Sequence, residues 1–236
     1  MRNLEIVAQP PQADPAPPVP GYSGWWDASD QGSIQGGIGN TAAAWRDKSG
    51  AGRHMTQATD ANRPWTGGLT VNGRNVLLSS GKVSNLAGNI PLTTQPFTVF
   101  LVAANVAPDA VQRTCWAGFV SAGVEWGRIY RPTSNAIAIY AGGGVTSSQA
   151  WLAGRVRVVS AIFNGASSTL NVDSRTQNTG AVGGNGNSVT GGAFGLGLSE
   201  SWFGWIGELI VYDARALTAS EIQRVEAYLM RKWGLA

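Results

Sequence analysis

Charge is scarce in this sequence. Acidic and basic residues fill 13% of the 236 positions while hydrophobic residues fill 43%, a balance that excludes a disordered, self-repelling chain and a coiled coil. The excess of Lys and Arg over Asp and Glu, 17 against 14, is scattered instead of gathered into a basic stripe with interleaved aromatics, so nucleic acid is not an expected partner. Cysteine is nearly absent. Cys115 is the only one, which excludes an intrachain disulfide, and beside Trp116 in an apolar stretch it reads as a buried small hydrophobe suited to a reducing compartment. His54 is the single histidine; with no cysteine or second histidine to share a metal, it is expected to hydrogen-bond structurally. The longest apolar run, Phe97 to Ala104, is far too short to span a bilayer. The first eleven residues lack the apolar stretch of a signal peptide. Neither a membrane segment nor a leader is expected.

Glycine and tryptophan are plentiful, 32 and 10 residues respectively. From Tyr22 onward, short apolar runs alternate with Gly, Asn and Ser clusters, the spacing of an all-β, two-sheet jelly-roll sandwich with about ten strands. The clearest runs are Phe97 to Ala104, Thr114 to Val120, Ala136 to Tyr140, Arg155 to Phe163, Ser168 to Asp173, Ala193 to Leu198 and Phe203 to Tyr212. Asn164-Gly165 predicts a tight hairpin turn inside Arg155 to Asp173, and the Gly183 to Gly192 stretch predicts a loop. One helix is expected at the C-terminus. Thr218 and Glu221 form a capping-box pattern, Ile222, Val225, Leu229 and Trp233 recur on one face, and Gly234 stops the run. Six prolines between Pro10 and Pro20 predict an extended spacer, giving an N-terminal arm over residues 1–21 and a globular domain over 22–236. Leu4, Ile6 and Val7 ahead of Pro10 and Pro11 have strand character suited to adding onto a partner's sheet edge.

Three segments in order resemble the laminin-G-like, concanavalin A-like lectin/glucanase superfamily, in the form found in phage virion and bacterial surface proteins. They are Trp26-Asp27-Ala28-Ser29-Asp30 with Trp45 to His54 and Asn62-Arg63-Pro64; Pro96 to Phe100; and Gly207 to Asp213 with Leu217-Thr218 and Glu221-Ile222. The resemblance implies the same two-sheet jelly roll, a fold that carries lectins, glycosidases, adhesion modules and capsid accessory proteins, so function rests on the site. Relatives often carry an acidic pair where this chain has Leu78-Ser79-Ser80-Gly81-Lys82-Val83, and Lys82 would repel a cation there.

Catalysis is not expected. Glycoside hydrolysis needs two carboxyl groups about 5 to 10 Å apart, whereas Asp173, Glu125, Glu200 and Glu208 each stand in separate segments. Asp27, Ser29 and Asp30 have a superficial calcium look without the further acids such sites need, and the Gly142 to Gly144 triplet opens no helix that would cradle phosphate. No cofactor or metal is expected. Aromatic rings near loops suggest sugar platforms instead: Trp126 with Arg128 and Tyr130, then Trp151, then Trp202, while Trp26, Trp45, Trp116 and Trp205 are assigned to the core. The leading expectation is a non-enzymatic virion structural protein, a capsid decoration or head or tail accessory, assembled in the host cytoplasm as a homo-oligomer. Its arm would dock onto a major capsid or other virion protein. The alternative is an adhesion module for a host-surface glycan, with a polysaccharide-degrading enzyme third.

Overall fold

The computed structural model describes residues 15–36, 40–80, 84–90, 94–107, 109–120, 124–184, 190–193 and 200–235, apart from the side chains of 119–120, 124–126 and 190. Two antiparallel sheets dominate. The seven-stranded sheet runs, edge to edge, through Gly24–Asp27, Phe203–Tyr212, Phe97–Asn105, Val156–Phe163, Ser168–Val172 and Arg175–Gly180, with Leu77–Ser80 also paired to Phe203–Tyr212. The nine-stranded sheet runs through Gly144–Ala150, Ala136–Tyr140, Val124–Arg131, Arg113–Val120, Thr190–Ala193, Leu86–Gly88, Met55–Thr56, Ala42–Trp45 and Ile34–Gly36. This is the expected all-β sandwich closed by one helix, Ala219–Lys232.

Pleating assigns the faces. Along one register row of the nine-stranded sheet lie Leu86, Ala193, Trp116, Ile129, Ile139 and Val145, all buried in the core between the sheets. The adjacent row, Gln35, Ala44, Thr56, Ala87, Gly192, Ala117, Arg128, Tyr140 and Gly144, points to the opposite face because side chains alternate along a strand. The seven-stranded sheet is covered on both sides. Phe97, Val99, Leu101 and Ala103 enter the core between the sheets, while Phe100, Val102 and Ala104 enter a second core beneath the helix. Burial on both faces explains why all nine residues of Phe97–Asn105 are buried and why that strand reads as an unbroken apolar run.

The helix forms as its sequence dictates. The Thr218 hydroxyl accepts from the Glu221 amide, and the Glu221 carboxylate accepts from the Thr218 amide, supplying two of the bonds a helix start lacks. Ile222, Val225 and Leu229 are buried against the sheet with Trp233, each of the first three contributing about 1.5 to 3 kcal/mol of transfer free energy. Gly207 leaves room for this seal: a Cβ there would meet the Trp233 ring at 2.5 Å.

Several expectations need correction. Eighteen strands are present among the described residues, because pieces as short as Met55–Thr56 carry too few residues to show alternation. Asn164-Gly165 makes no two-residue turn; a short 3-10 turn, Gly165–Ser167, links the paired strands, with the Ser168 hydroxyl accepting from the Asn164 amide at 2.8 Å. The tight hairpin turn is one hairpin later, at Asp173-Ser174, where both residues take positive φ, 49° and 63°. The strand Thr190–Ala193 begins inside the Gly183 to Gly192 stretch read as a loop and reaches the first residue of the expected Ala193 to Leu198 strand, while residues 194–198 lie outside the described residues. Two residues of the stretch read as the arm pack against the domain. Pro17 and Val19 are buried, Val19 in the helix-side core, and the Tyr212 hydroxyl donates to the Val19 carbonyl at 2.7 Å. Leu4, Ile6, Val7, Pro10 and Pro11 lie outside the described residues, as does Lys82.

Candidate functional site

The motif residues behind the family resemblance build a structural node. The Asp47 carboxylate accepts from the backbone amides of Trp25, Ser49 and Arg53 and from the Ser49 hydroxyl, at 2.7 to 3.0 Å. Burial works to raise its pKa, and these bonds more than offset it, leaving the group below the ordinary aspartate value. His54 Nδ1 accepts from the Asp47 amide at 3.0 Å, the structural role expected of it. The Lys48 ammonium lies 3.1 Å from Asp27 Oδ2 and 2.7 Å from Asp30 Oδ2. A protein cation therefore already occupies the space a calcium ion would need between those acids.

Beneath this node lies a buried ionic cluster that the sequence did not suggest. Asp27 and Glu208 are fully buried, and Lys232 bridges them at 2.7 and 2.8 Å. Glu208 also accepts from Trp25 Nε1, the Tyr228 hydroxyl and Trp233 Nε1 at 2.8 to 2.9 Å. Burial and then the Asp27 charge raise the Glu208 pKa, with Lys232 opposing them; for Asp27 burial is overcome by Lys232 and the pKa is lowered. These acids pin the helix to the first strand and are shut off from any substrate. Other acids are committed as well: Asp109 pairs with Arg113 and Arg131, Asp173 with Arg157, Glu200 with Arg128, and Glu226 accepts from Ser160 at 2.7 Å.

Of the aromatic platforms expected from sequence, two are corrected. Trp151 and Trp202 are 2% and 0% exposed and meet edge to face, ring centroids 4.9 Å apart, in the core between the sheets. Their loop-like neighbours mark strand ends that carry the rings inward. Arg128 and Tyr130 do come together on the outer face of the nine-stranded sheet. The Arg128 guanidinium sits 4.2 Å from the Tyr130 ring centroid and 5.1 Å from that of Tyr140, and pairs with Glu200 at 2.9 Å. Gln112 donates to the same carboxylate at 2.7 Å. The side chain of Trp126 lies outside the described residues.

Trp65, which sequence reasoning passed over, is the one tryptophan among the described side chains that faces solvent. Trp25, Trp26, Trp45, Trp116, Trp151, Trp202, Trp205 and Trp233 are all buried, whereas Trp65 is 48% exposed. Its backbone stitches the sheets together at one open edge of the sandwich: Trp65 exchanges amide bonds with Leu78 at 2.8 and 2.9 Å, and the flanking Pro64 and Thr66 bond to Ala42 and Asn40. The indole is therefore held on rigid backbone. It borders a cleft of about 430 Å³ with Asp60, Arg63, Thr41, Ser80 and Ser84. Arg63 pairs with Asp60 and donates to the carbonyls of Gln57 and Ala58, so the guanidinium is fixed and the local charge is balanced. An apolar ring face beside hydroxyls, a carboxylate and a guanidinium suits a ligand with one apolar and one hydroxyl-rich side. The signal was the Asn62-Arg63-Pro64 run directly before Trp65: a proline-stiffened turn ahead of a large ring.

Among the described residues no helix is long and apolar enough to cross a membrane, and no group of three or more His, Cys, Asp or Glu side chains could hold a metal ion. The sequence matches no protein-family model and no curated protein sequence. Its fold is similar to solved structures. A Trypanosoma rangeli sialidase in complex with the inhibitor DANA aligns with TM-score 0.65 at 13% identity, over 89% of this chain and 33% of the sialidase. The ligand-binding domain of botulinum neurotoxin serotype D, in complex with N-acetylneuraminic acid, aligns with TM-score 0.62 at 10% identity, over 88% of this chain and 50% of that one. Domain 4 of an extracellular arabinanase from Geobacillus stearothermophilus, in complex with arabinotriose, aligns with TM-score 0.59 at 9% identity, over 87% of this chain and 98% of that one. This chain thus spans about a third of the sialidases' length, and what the likeness establishes is an all-β sandwich fold.

Proposed function

We propose that this chain is a non-catalytic glycan-binding sandwich of the laminin-G-like, concanavalin A-like kind, which holds a neutral saccharide against Trp65. The observation that carries the reading is a rigidly mounted, half-exposed indole bordering a charge-balanced cleft of about 430 Å³, room for one or two sugar rings. A sugar would lay a C–H face on the indole while the Asp60 carboxylate and the hydroxyls of Thr41, Ser80 and Ser84 meet its hydroxyl groups. Commitment of Asp27, Asp47, Asp109, Asp173, Glu200, Glu208 and Glu226 to structural partners supports a binding role over turnover, since hydrolysis would require two accessible carboxyl groups flanking one bond. Two fold neighbours carry a saccharide or a sialic acid in their structures, which agrees with this reading. The test is a binding screen of neutral oligosaccharides, arabinotriose among them, against the parent chain and Trp65→Ala. Binding that drops at least tenfold in the variant supports the reading; a screen with no binder, or binding indifferent to Trp65, defeats it. Arg128 and Tyr130 extend the proposal to a second contact area on the outer face, tested in the same screen with Arg128→Ala.

A second reading concerns where the module is carried. Val19 and Pro20 are clamped by Tyr212 and Arg215 on the helix-covered side, so the preceding segment leaves the domain at a fixed point away from the outer face of the nine-stranded sheet. We infer that residues 1–14 tether the module, as a homo-oligomer, to a capsid or other virion protein, displaying the sandwich toward a host-surface glycan. Deleting residues 1–14 should abolish particle association and leave glycan affinity unchanged; retained association would rule this out.

A further inference from the structure

At the opposite open edge of the sandwich, the edge strands Gly144–Ala150 and Arg175–Gly180 pack against each other, with the Ser148 hydroxyl donating to Gln177 Oε1 at 3.0 Å and Asn178 Nδ2 to the Thr146 carbonyl at 3.2 Å. Between this seam and the C-terminal end of the helix opens a cleft of about 470 Å³, into which Arg155, Arg157, Arg175, Gln149, Gln177 and Met230 all contribute. Its charge is unbalanced. Three guanidinium groups face one lining carboxylate, Asp173, and that one is already committed: its Oδ2 pairs with Arg157 Nη1 and its Oδ1 accepts from the Val158 amide at 3.1 Å. Arg157 is 2% exposed, and its buried Nε finds no acceptor among the described residues. Arg155 and Arg175 are exposed at the mouth, and neither has an ion-pair partner among the described residues. Among the described residues the cleft therefore carries two uncompensated positive charges.

The wall is built with some strain. Asp173 and Ser174 form the turn of their hairpin with both residues in the left-handed region, which glycine or asparagine fills more cheaply. The ion pair with Arg157 and the bond to the Val158 amide hold Asp173 there and set Arg175 at the start of the next strand. Gln149 and Gln177 add amide donors and acceptors, and Met230 with Leu235 adds an apolar side. No aromatic ring lines the cleft among the described residues, so it offers no platform for stacking a base.

We propose that this cleft is a second binding site, for a saccharide bearing one carboxylate or sulfate group. The anionic group would sit between Arg155 and Arg175, where guanidinium forks match its planar or tetrahedral oxygens. The amides of Gln149 and Gln177 would take ring hydroxyls. The site is separate from the Trp65 cleft and stands or falls independently of it.

The experiment is calorimetric titration of the full chain at low ionic strength with N-acetylneuraminic acid, N-acetylglucosamine 6-sulfate, neutral N-acetylglucosamine and sodium sulfate. The expected result is that at least one acidic sugar binds tenfold or more above both N-acetylglucosamine and bare sulfate, with affinity falling as salt rises. Preference between the two acidic sugars separates a carboxylate site from a sulfate site. The double variant Arg155→Ala/Arg175→Ala, at two exposed positions, should lose that affinity at least tenfold, and Arg175→Glu should abolish it, while Trp65→Ala should keep it. Acidic sugars binding no better than N-acetylglucosamine, sulfate alone binding as tightly, or unchanged affinity in the double variant would each overturn the proposal.

Discussion

Replacing Lys232 by methionine removes the ammonium shared by Asp27 and Glu208 while keeping an unbranched chain in its place. Asp27 retains Lys48 at 3.1 Å. Glu208, fully buried, keeps three hydrogen-bond donors from Trp25, Tyr228 and Trp233 but loses the one cation that reaches it among the described residues. Burial and the Asp27 charge already hold its pKa above the ordinary glutamate value against the pull of Lys232, so the variant's value rises further. Taking up a proton bounds the penalty. With an unfolded pKa near 4.3 and about 1.4 kcal/mol per pH unit, protonating Glu208 in the folded state at pH 7 costs about 4 kcal/mol, and at pH 5 about 1 kcal/mol. The sign follows from linkage: a group whose folded pKa is raised favours the folded state below its unfolded pKa and loses that contribution as pH climbs toward the folded one. Urea unfolding of variant and parent, followed by tryptophan fluorescence at pH 5, 6 and 7, should show a gap that narrows toward acid. A gap that is constant across this range, or that widens at pH 5, would refute the buried-charge reasoning.

Two further outcomes follow from packing. Gly207→Ala drives a methyl group to within 2.5 Å of the buried Trp233 ring and should destabilise the fold by about 1 to 3 kcal/mol, read as a lowered denaturation midpoint; a change within about 0.5 kcal/mol would mean the helix end shifts freely. Cys115 is fully buried, and burial pushes its thiol pKa well up, so a thiol reagent should label the native chain negligibly and the unfolded chain completely. Prompt stoichiometric labelling in native buffer would contradict the burial.

Much of the fold was legible because its strongest signals are local. Phe203–Tyr212 and Ala136–Tyr140 match the expected runs residue for residue, and the Thr218–Glu221 pattern marks the helix start because a capping box is a contact between neighbours in sequence. What stayed hidden depends on distant pairing. The Glu208 cluster joins residues 27, 48, 208 and 232, so Glu208 reads as a lone acid along its own strand. Trp151 and Trp202 lie 51 positions apart and become core by meeting each other; flanking glycines and serines say nothing of that. Trp65 is the converse case. Composition places a tryptophan inside by default, and only the bridges to Thr41 and Leu78, which hold its backbone across the sandwich edge, leave the ring facing water.

As proposed, Trp65 is a sugar platform. Soaking crystals of the full chain with the tightest-binding neutral oligosaccharide from the screen, beside a titration of Trp65→Ala, tests it most directly. The expected result is a sugar ring stacked on the Trp65 indole, hydroxyl groups toward Asp60 and Ser84, and affinity at least tenfold lower in the variant. A saccharide seated elsewhere while the variant binds as tightly as the parent would contradict it.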